Sequence, residues 1–450
     1  MARQQIVAST SDRDLRARTT ALISVAIVVA LLTVVSTAQA QTLTVLHTFT
    51  GAADGGGPVA GLTRDAGGNF YGTTMDGGSG MGVCSASGCG TVFKLTRHGS
   101  SWVLNPIYEF TSTNQGPFNP SARVIFGPDG SLYGTTVNGG SCNGQWCGAV
   151  FKLQPPATFC RNVTCPWTLT VLHAFAGGDD GAFPYSDLAF DSSGNIYGTT
   201  SGDGDSSCMV VTGVRGCGTV FELTRNTDGT WTNHTLYEFH GGSDGGRPFA
   251  GVVLDPAGNL YGVTAYGGGG PCNFNFGCGA VFALSPSGSG WVETTLHQFT
   301  GFADGGAPFG GLMFDHAGNL YGTGSYGGAG LGTVYEFTSN QGSWNFNVIY
   351  TFTGTQANGP QSALTMDSAG NLYGTSVAGG NNQGFGTVYK LVPSNGGWTY
   401  ASLHDFDLQG SDGGLLYGSV ALDANGNVFG VTGAGPYPSP DNGVLFEITH

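Results

Sequence analysis

A chain of 450 residues with 40% hydrophobic and 12% aromatic content can bury a large core, and its 81 glycines interrupt almost every apolar run. Glycine at that density without a Gly-X-Y period excludes collagen, and regularly spaced Phe, Tyr and Val exclude a disordered chain, which leaves short punctuated strands. The formal net charge of -15 repels phosphates and so argues against nucleic acid and anionic membranes as partners.

The first element is an export signal. Arg3, Arg13, Arg16 and Arg18 precede an apolar run from Ala21 to Val35, and Ala38-Gln39-Ala40 supplies a small-x-small cleavage site. We assign residues 1–40 to a cleaved signal peptide and residues 41–450 to one mature domain, secreted or periplasmic, with 10 basic against 27 acidic residues. Retention of the segment as a membrane anchor is the alternative.

Gln41 to Phe49 then reads as a strand ending in LHTF, and behind it a four-part unit recurs seven times. Segment A is the GLxxD type, as at Gly61-Leu62. Segment B is the NLYGTT type, anchored on Tyr71, Tyr133, Tyr197, Tyr261, Tyr321, Tyr373 and Phe429, which are 52 to 64 residues apart. Segment C is the GTVFKL type, and segment D runs from a Trp to LHxF or IYxF. Four short apolar or β-branched runs divided by Gly, Asn, Asp and Pro mean four strands, and this is the size of a propeller blade.

Constant spacings locate constant packing. A proline (Pro58, Pro120, Pro184, Pro248, Pro308, Pro360) stands thirteen residues before six of the anchors, and an aspartate (Asp65, Asp191, Asp255, Asp315, Asp367, Asp423) six before, where DxxGN makes the A-to-B hairpin. Six tryptophans stand eight residues before the last Phe of D; eight before Phe49 is Gln41. The mature chain thus opens with a D strand and finishes with a C strand, Val444 to Ile448. We expect an all-β fold: a single seven-bladed β-propeller of four antiparallel strands per blade, closed by pairing of its N- and C-terminal strands.

The repeated GNLYGTTxxGG, GTVFKL and LHxFTGxDGGxP resemble the GloVer tandem-repeat family of exported proteins. That resemblance implies export and varied C-terminal anchoring, but no settled activity. This chain departs from the anchored pattern by ending at Ile448-Thr449-His450, directly after the last strand.

Ten cysteines form five close pairs: Cys84 with Cys89, Cys142 with Cys147, Cys160 with Cys165, Cys208 with Cys217, and Cys272 with Cys278. In an oxidising compartment these are local disulfides, because zinc would call for Cys-x2-Cys spacing and companion histidines. Four pairs fall in the B-to-C loops of blades 1 to 4, which are longer than those of blades 5 to 7, while the A-to-B hairpins never change length. The exception is the pair Cys160 and Cys165, which lies between strands C and D of blade 2 and so belongs to the opposite face. Variation gathered on one face is how a binding surface is built.

On the face of the B-to-C loops, D-to-A turns carry Asp54, Asp180, Asp244, Asp304 and Asp412, with Gly116 and Gln356 in blades 2 and 6. A ring of carboxylates could hold calcium or sugar hydroxyls, although Asp before Gly-Gly is also ordinary turn chemistry. No other cofactor is implied. His47, His173, His297 and His404 occupy a position that is Tyr108, Tyr237 or Tyr350 elsewhere, so they read as packing and rim groups rather than catalysts. No nucleophile elbow or HExxH motif occurs. The first reading is a monomeric binding or scaffolding propeller for carbohydrate or a surface protein. The alternatives are an extracellular hydrolase or lyase acting on polysaccharide, using a carboxylate pair, and a purely structural exported protein.

Overall fold

In the computed structural model, the described residues are 41–449 apart from 79–83, 85–86, 113–115, 141, 143–145, 157–166, 209–214, 271, 273–275, 289, 341, 382–383, 408–410, 436–441. The proposed signal segment, residues 1–40, lies outside the described residues. So do Cys160 and Cys165, and with them the disulfide expected between those two cysteines.

Residues Thr42–Thr449 form seven four-stranded antiparallel sheets. Blade 1 runs from A (Thr63–Arg64) at the centre through B (Phe70–Thr74) and C (Thr91–His98) to D (Ser101–Glu109) at the rim. Blades 2 to 6 repeat that order, ending in the D strands Thr168–Ala174, Trp231–Glu238, Gly290–Gln298, Ser343–Thr351 and Gly397–Asp405. Blade 7 takes A (Ala421–Leu422), B (Val428–Thr432) and C (Val444–Thr449) from the end of the chain, and its D strand is Thr42–Thr48. Thr42 lies opposite Thr449 and Thr48 opposite Val444, so the ring is closed as expected. A β-bulge interrupts all seven C–D pairings at the same place, between Val92 and Phe93 in blade 1 and between Val45 and His47 in the closing pair.

The core lies between blades. All seven B strands are buried throughout, which fits their nearly continuous apolar character. The Gly of each NLYG lies under an aromatic ring of strand C: a Cβ on Gly72 would sit 2.4 Å from Phe93 Cζ. The last Phe of each D strand packs on that same ring in the next blade, from Phe110 on Phe151 at 5.2 Å to the closing pair of Phe49 on Phe93 at 5.4 Å. The repeat proline touches the glycine ahead of strand C of the preceding blade, as Pro120 does Gly90. These contacts are the physical content of the fixed spacings.

Segment A differs from expectation in having only two ladder residues per blade. The residues ahead of them run along the crowded axis, where neighbouring segments meet: a Cβ on Gly251 would lie 2.2 Å from the Asp187 carbonyl oxygen. Strand B hydroxyls tie these inner segments together. Thr73 Oγ1 donates to the Ala122 carbonyl at 3.0 Å, and Thr135, Thr199, Thr323 and Thr375 make the same bond to the next blade. Among the described residues no helix is long and apolar enough to cross a membrane.

Candidate functional site

The loop-bearing face is held by three devices, each derived from the repeat. First, every D-to-A turn pairs with the B-to-C loop of its blade, as Gly56 with Asp76 and Gly246 with Tyr266. Second, the residue before the repeat proline, or before Leu416 where that replaces it in blade 7, has positive φ in all seven blades: Gly57, Asn119, Phe183, Arg247, Ala307, Gly359 and Leu415. This left-handed conformation costs a non-glycine residue roughly 1–2 kcal/mol, so something must enforce it. The backbone N–H of each donates to the preceding blade's loop end, as Asn119 to Cys89 at 2.8 Å and Arg247 to Cys217 at 2.6 Å.

Third, the acceptor carbonyls in blades 1 to 4 belong to disulfide-bonded cysteines. The bonds Cys84–Cys89, Cys142–Cys147, Cys208–Cys217 and Cys272–Cys278 are all formed, and no free cysteine occurs among the described residues. The sequence predicts five disulfides where these are four: the bond expected between Cys160 and Cys165 is not among them, because both Cys160 and Cys165 lie outside the described residues. Blades 5 to 7, with short loops, use Leu331, Phe385 and Asn442 as acceptors and have no staple there. The long loops therefore carry disulfides where an inter-blade hydrogen bond must be kept in place.

The five turn aspartates and the LHxF histidines prove to be partners. His47 donates through Nε2 to Asp54 at 2.9 Å, His173 to Asp180 at 3.0 Å, His297 to Asp304 at 3.2 Å and His404 to Asp412 at 2.6 Å. At two of the three positions where tyrosine replaces histidine its hydroxyl makes the same bond, Tyr237 to Asp244 and Tyr350 to Gln356, both at 3.1 Å, while the turn after Tyr108 has Gly116 in place of the acceptor. The shared requirement is a donor, which explains the interchange of His and Tyr. Four of the five carboxylates, those of Asp54, Asp180, Asp244 and Asp304, also close their own turn by accepting a backbone N–H, from Thr50, Ala176, His240 and Thr300 respectively. Burial pushes the Asp54 and Asp180 carboxyls up, yet the combined hydrogen bonds from Thr50 and His47, and from His173, Ala176 and Asn233, hold both below the usual carboxylate range.

The aspartates thus lie in five separate D-to-A turns, each bound to the D strand that leads into its turn, and Asp180 also accepts from Asn233 of the following D strand at 2.7 Å. Among the described residues, the set that brings three possible ligand atoms within 4.8 Å of one another is Cys142, Cys147 and Asp203, two of which are joined in a disulfide.

All seven inner segments line one cavity of about 380 Å³ on the propeller axis. Side chains one and three residues past the repeat proline face it, while those between them are buried in the blades. The position nearer the loop face holds Val59, Ser121, Tyr185, Phe249, Phe309, Gln361 and Tyr417; the deeper one holds Gly61, Arg123, Asp187, Gly251, Gly311, Ala363 and Ser419. Both rings break the repeat. In the deeper ring, Asp187 accepts from the Arg123 backbone N–H at 2.9 Å and from its Nε at 3.0 Å, and these are the charged residues among those lining the cavity.

In the ring nearer the loops, three adjacent aromatic groups from blades 3 to 5 form an arc, and Tyr417 of blade 7 stands apart from it across Gln361. Tyr185 lies 5.5 Å from Phe249, and Phe249 5.5 Å from Phe309, with Tyr266 behind them at 6.3 Å from both phenylalanines. The Arg247 guanidinium sits 5.4 Å from the Phe249 ring and 5.9 Å from that of Tyr266. Tyr185, Phe249, Phe309 and Tyr417 stand outside the seven hydrophobic clusters that hold the blades together. Sequence reading missed this group. It becomes visible when the seven copies are aligned on the proline and asked where they differ.

No curated protein matches the chain. Among solved structures it is similar to the extracellular domain of a hybrid two-component system from B. thetaiotaomicron, at 12% identity and a TM-score of 0.50, over 91% of this chain and 42% of that one. It is also similar to a Thermus thermophilus protein described as an oxidoreductase (glucose dehydrogenase), at 14% identity and a TM-score of 0.43, over 91% and 100% of the two chains. A protein of unknown function from Dyadobacter fermentans matches at 10% identity and a TM-score of 0.43, again over 91% and 100%. Identities of this size bear on the fold alone. The repeat itself is more specific: the family description of the Gloeobacter/Verrucomicrobia repeat matches residues 33–212 and 272–450, and the chain belongs to that family.

Proposed function

We propose that the protein is an exported binding module that takes a carbohydrate into the loop-side mouth of its central channel. The observation that carries this reading is the contiguous aromatic arc of Tyr185, Phe249 and Phe309. Aromatic rings that no core cluster uses, held around a half-open cavity beside a few polar groups, make a surface on which a sugar ring can stack. The fixed carboxylate–guanidinium pair of Asp187 and Arg123 below them supplies polar partners for hydroxyls. The turn aspartates act one level back, by fixing the loops that shape the mouth. Export follows from the basic, apolar and small-x-small pattern of residues 1–40 and is consistent with the four loop disulfides.

A glycan array probed with the mature protein, with calcium and with chelator, tests the reading. Binding should survive chelation and Asp180→Ala but weaken about tenfold in Phe249→Ala, since an aromatic contact is worth about 1 kcal/mol or more. Loss on chelation or in Asp180→Ala, with Phe249→Ala unaffected, would instead make the turn aspartates the ligand-binding set.

A further inference from the structure

Arg247 stands out in the electrostatics of this acidic chain. Of the seven equivalent positions before the repeat proline, only this one is charged. Its backbone is pinned in the left-handed region between the Cys217 carbonyl at 2.6 Å and the Ala265 N–H at 3.3 Å. Its guanidinium lies against Phe249 and Tyr266 beside the channel mouth, and its Nε is buried without a hydrogen-bond partner among the described residues. Arg123, by contrast, has its carboxylate in Asp187.

A buried donor left unsatisfied costs about 1–3 kcal/mol, more for a charged group, and a guanidinium without a carboxylate partner is the less expected in a chain with 29 Asp and Glu against 14 Lys and Arg. The groups that act on it electrostatically are the Tyr266 and Tyr185 hydroxyls; burial pulls its pKa down against them. A ligand that brought both an anion and a flat ring face would satisfy both halves of the arrangement, the fork of Arg247 and the arc of rings.

We infer that the channel mouth selects an acidic sugar, with a uronate carboxylate paired to the Arg247 guanidinium while the sugar ring stacks on Phe249. This rests on the carbohydrate reading above and narrows it. The chain's overall negative charge does not preclude such a ligand: at physiological salt, charges beyond about 8 Å are largely screened, and the local pair decides.

Titration calorimetry with trisaccharides of galacturonate, glucuronate and mannuronate, each against its methyl ester, tests the inference because the ester keeps the ring and removes the charge. The wild-type protein should bind at least one acid about tenfold or more tighter than its ester, the scale of a charge-assisted bidentate contact. Arg247→Gln should abolish that preference and leave ester binding unchanged; Arg247→Lys should keep part of it. Equal binding of acid and ester by the wild type, with Phe249→Ala weakening both, would overturn the inference and leave the carbohydrate reading standing. An equal loss of acid and ester binding in Arg247→Gln would make the residue structural and also overturn it. Binding of no sugar in either form would remove both readings.

Discussion

Tyr335 and Tyr389 show how one atom can depart from the repeat. They occupy the strand C site that is Phe93, Phe151, Phe221, Phe282 and Phe446 in the other blades, and both are fully buried. Their hydroxyls have no hydrogen-bond partner among the described residues and press on Gly322 and Gly374, where a Cβ would lie 2.4 and 2.3 Å away. Burial drives both phenols far above their ordinary pKa. Removing an unsatisfied buried hydroxyl while keeping the ring should be stabilising by about 1 kcal/mol. Tyr335→Phe and Tyr389→Phe are therefore each expected to raise the thermal midpoint; a lower midpoint would mean that the hydroxyl holds a buried water. At this scale the sequence was half legible. The seven-residue step from His47 to Asp54, from His173 to Asp180 and from His297 to Asp304 was present to be read, but a bond between two residues that each look like rim groups shows only in three dimensions.

At the scale of the element, strands B and C were readable because each is buried by the same contacts in every blade, and the rim strand D because its closing Phe packs on the same strand C ring of the next blade, so packing sets the same letters at the same spacing. Strand A was readable as a strand but not in its length, because the axis leaves space for extended backbone but for only two ladder residues, Thr63 and Arg64 in blade 1. The B-to-C loops announced their disulfides through paired cysteines, yet the reason for the staples lies in the bond each loop end makes to the next blade. Cys208–Cys217 spans the widest of the four described pairs, with a sequence separation of 9. Replacing both cysteines with serine should cost about 2 kcal/mol and, more specifically, speed amide exchange at Arg247, whose N–H is donated to Cys217. The ladder amides of blade 3 should keep their protection. Unchanged exchange at Arg247 would show that the loop end is held without the disulfide.

For the whole molecule, ring closure was legible and the site was not, for one physical reason. A repeat search finds what seven blades share, and closure, hairpins and inter-blade packing are shared. A binding site on the axis of a ring must break that symmetry, so it is written in the residues that differ: Arg123 and Asp187 where other blades have Gly, Ala or Ser, and Tyr185, Phe249 and Phe309 beside Val59, Ser121 and Gln361. Those positions face a cavity to which every blade contributes, so no single copy reveals them. In the proposed mode of binding, ligand enters this cavity from the loop face. A crystal structure of the mature protein soaked with its tightest-binding array glycan tests it most directly. The sugar is expected in the channel mouth, with a ring stacked on Phe249; a sugar bound instead on the opposite face, against the Asp191 or Asp255 hairpins, would contradict it.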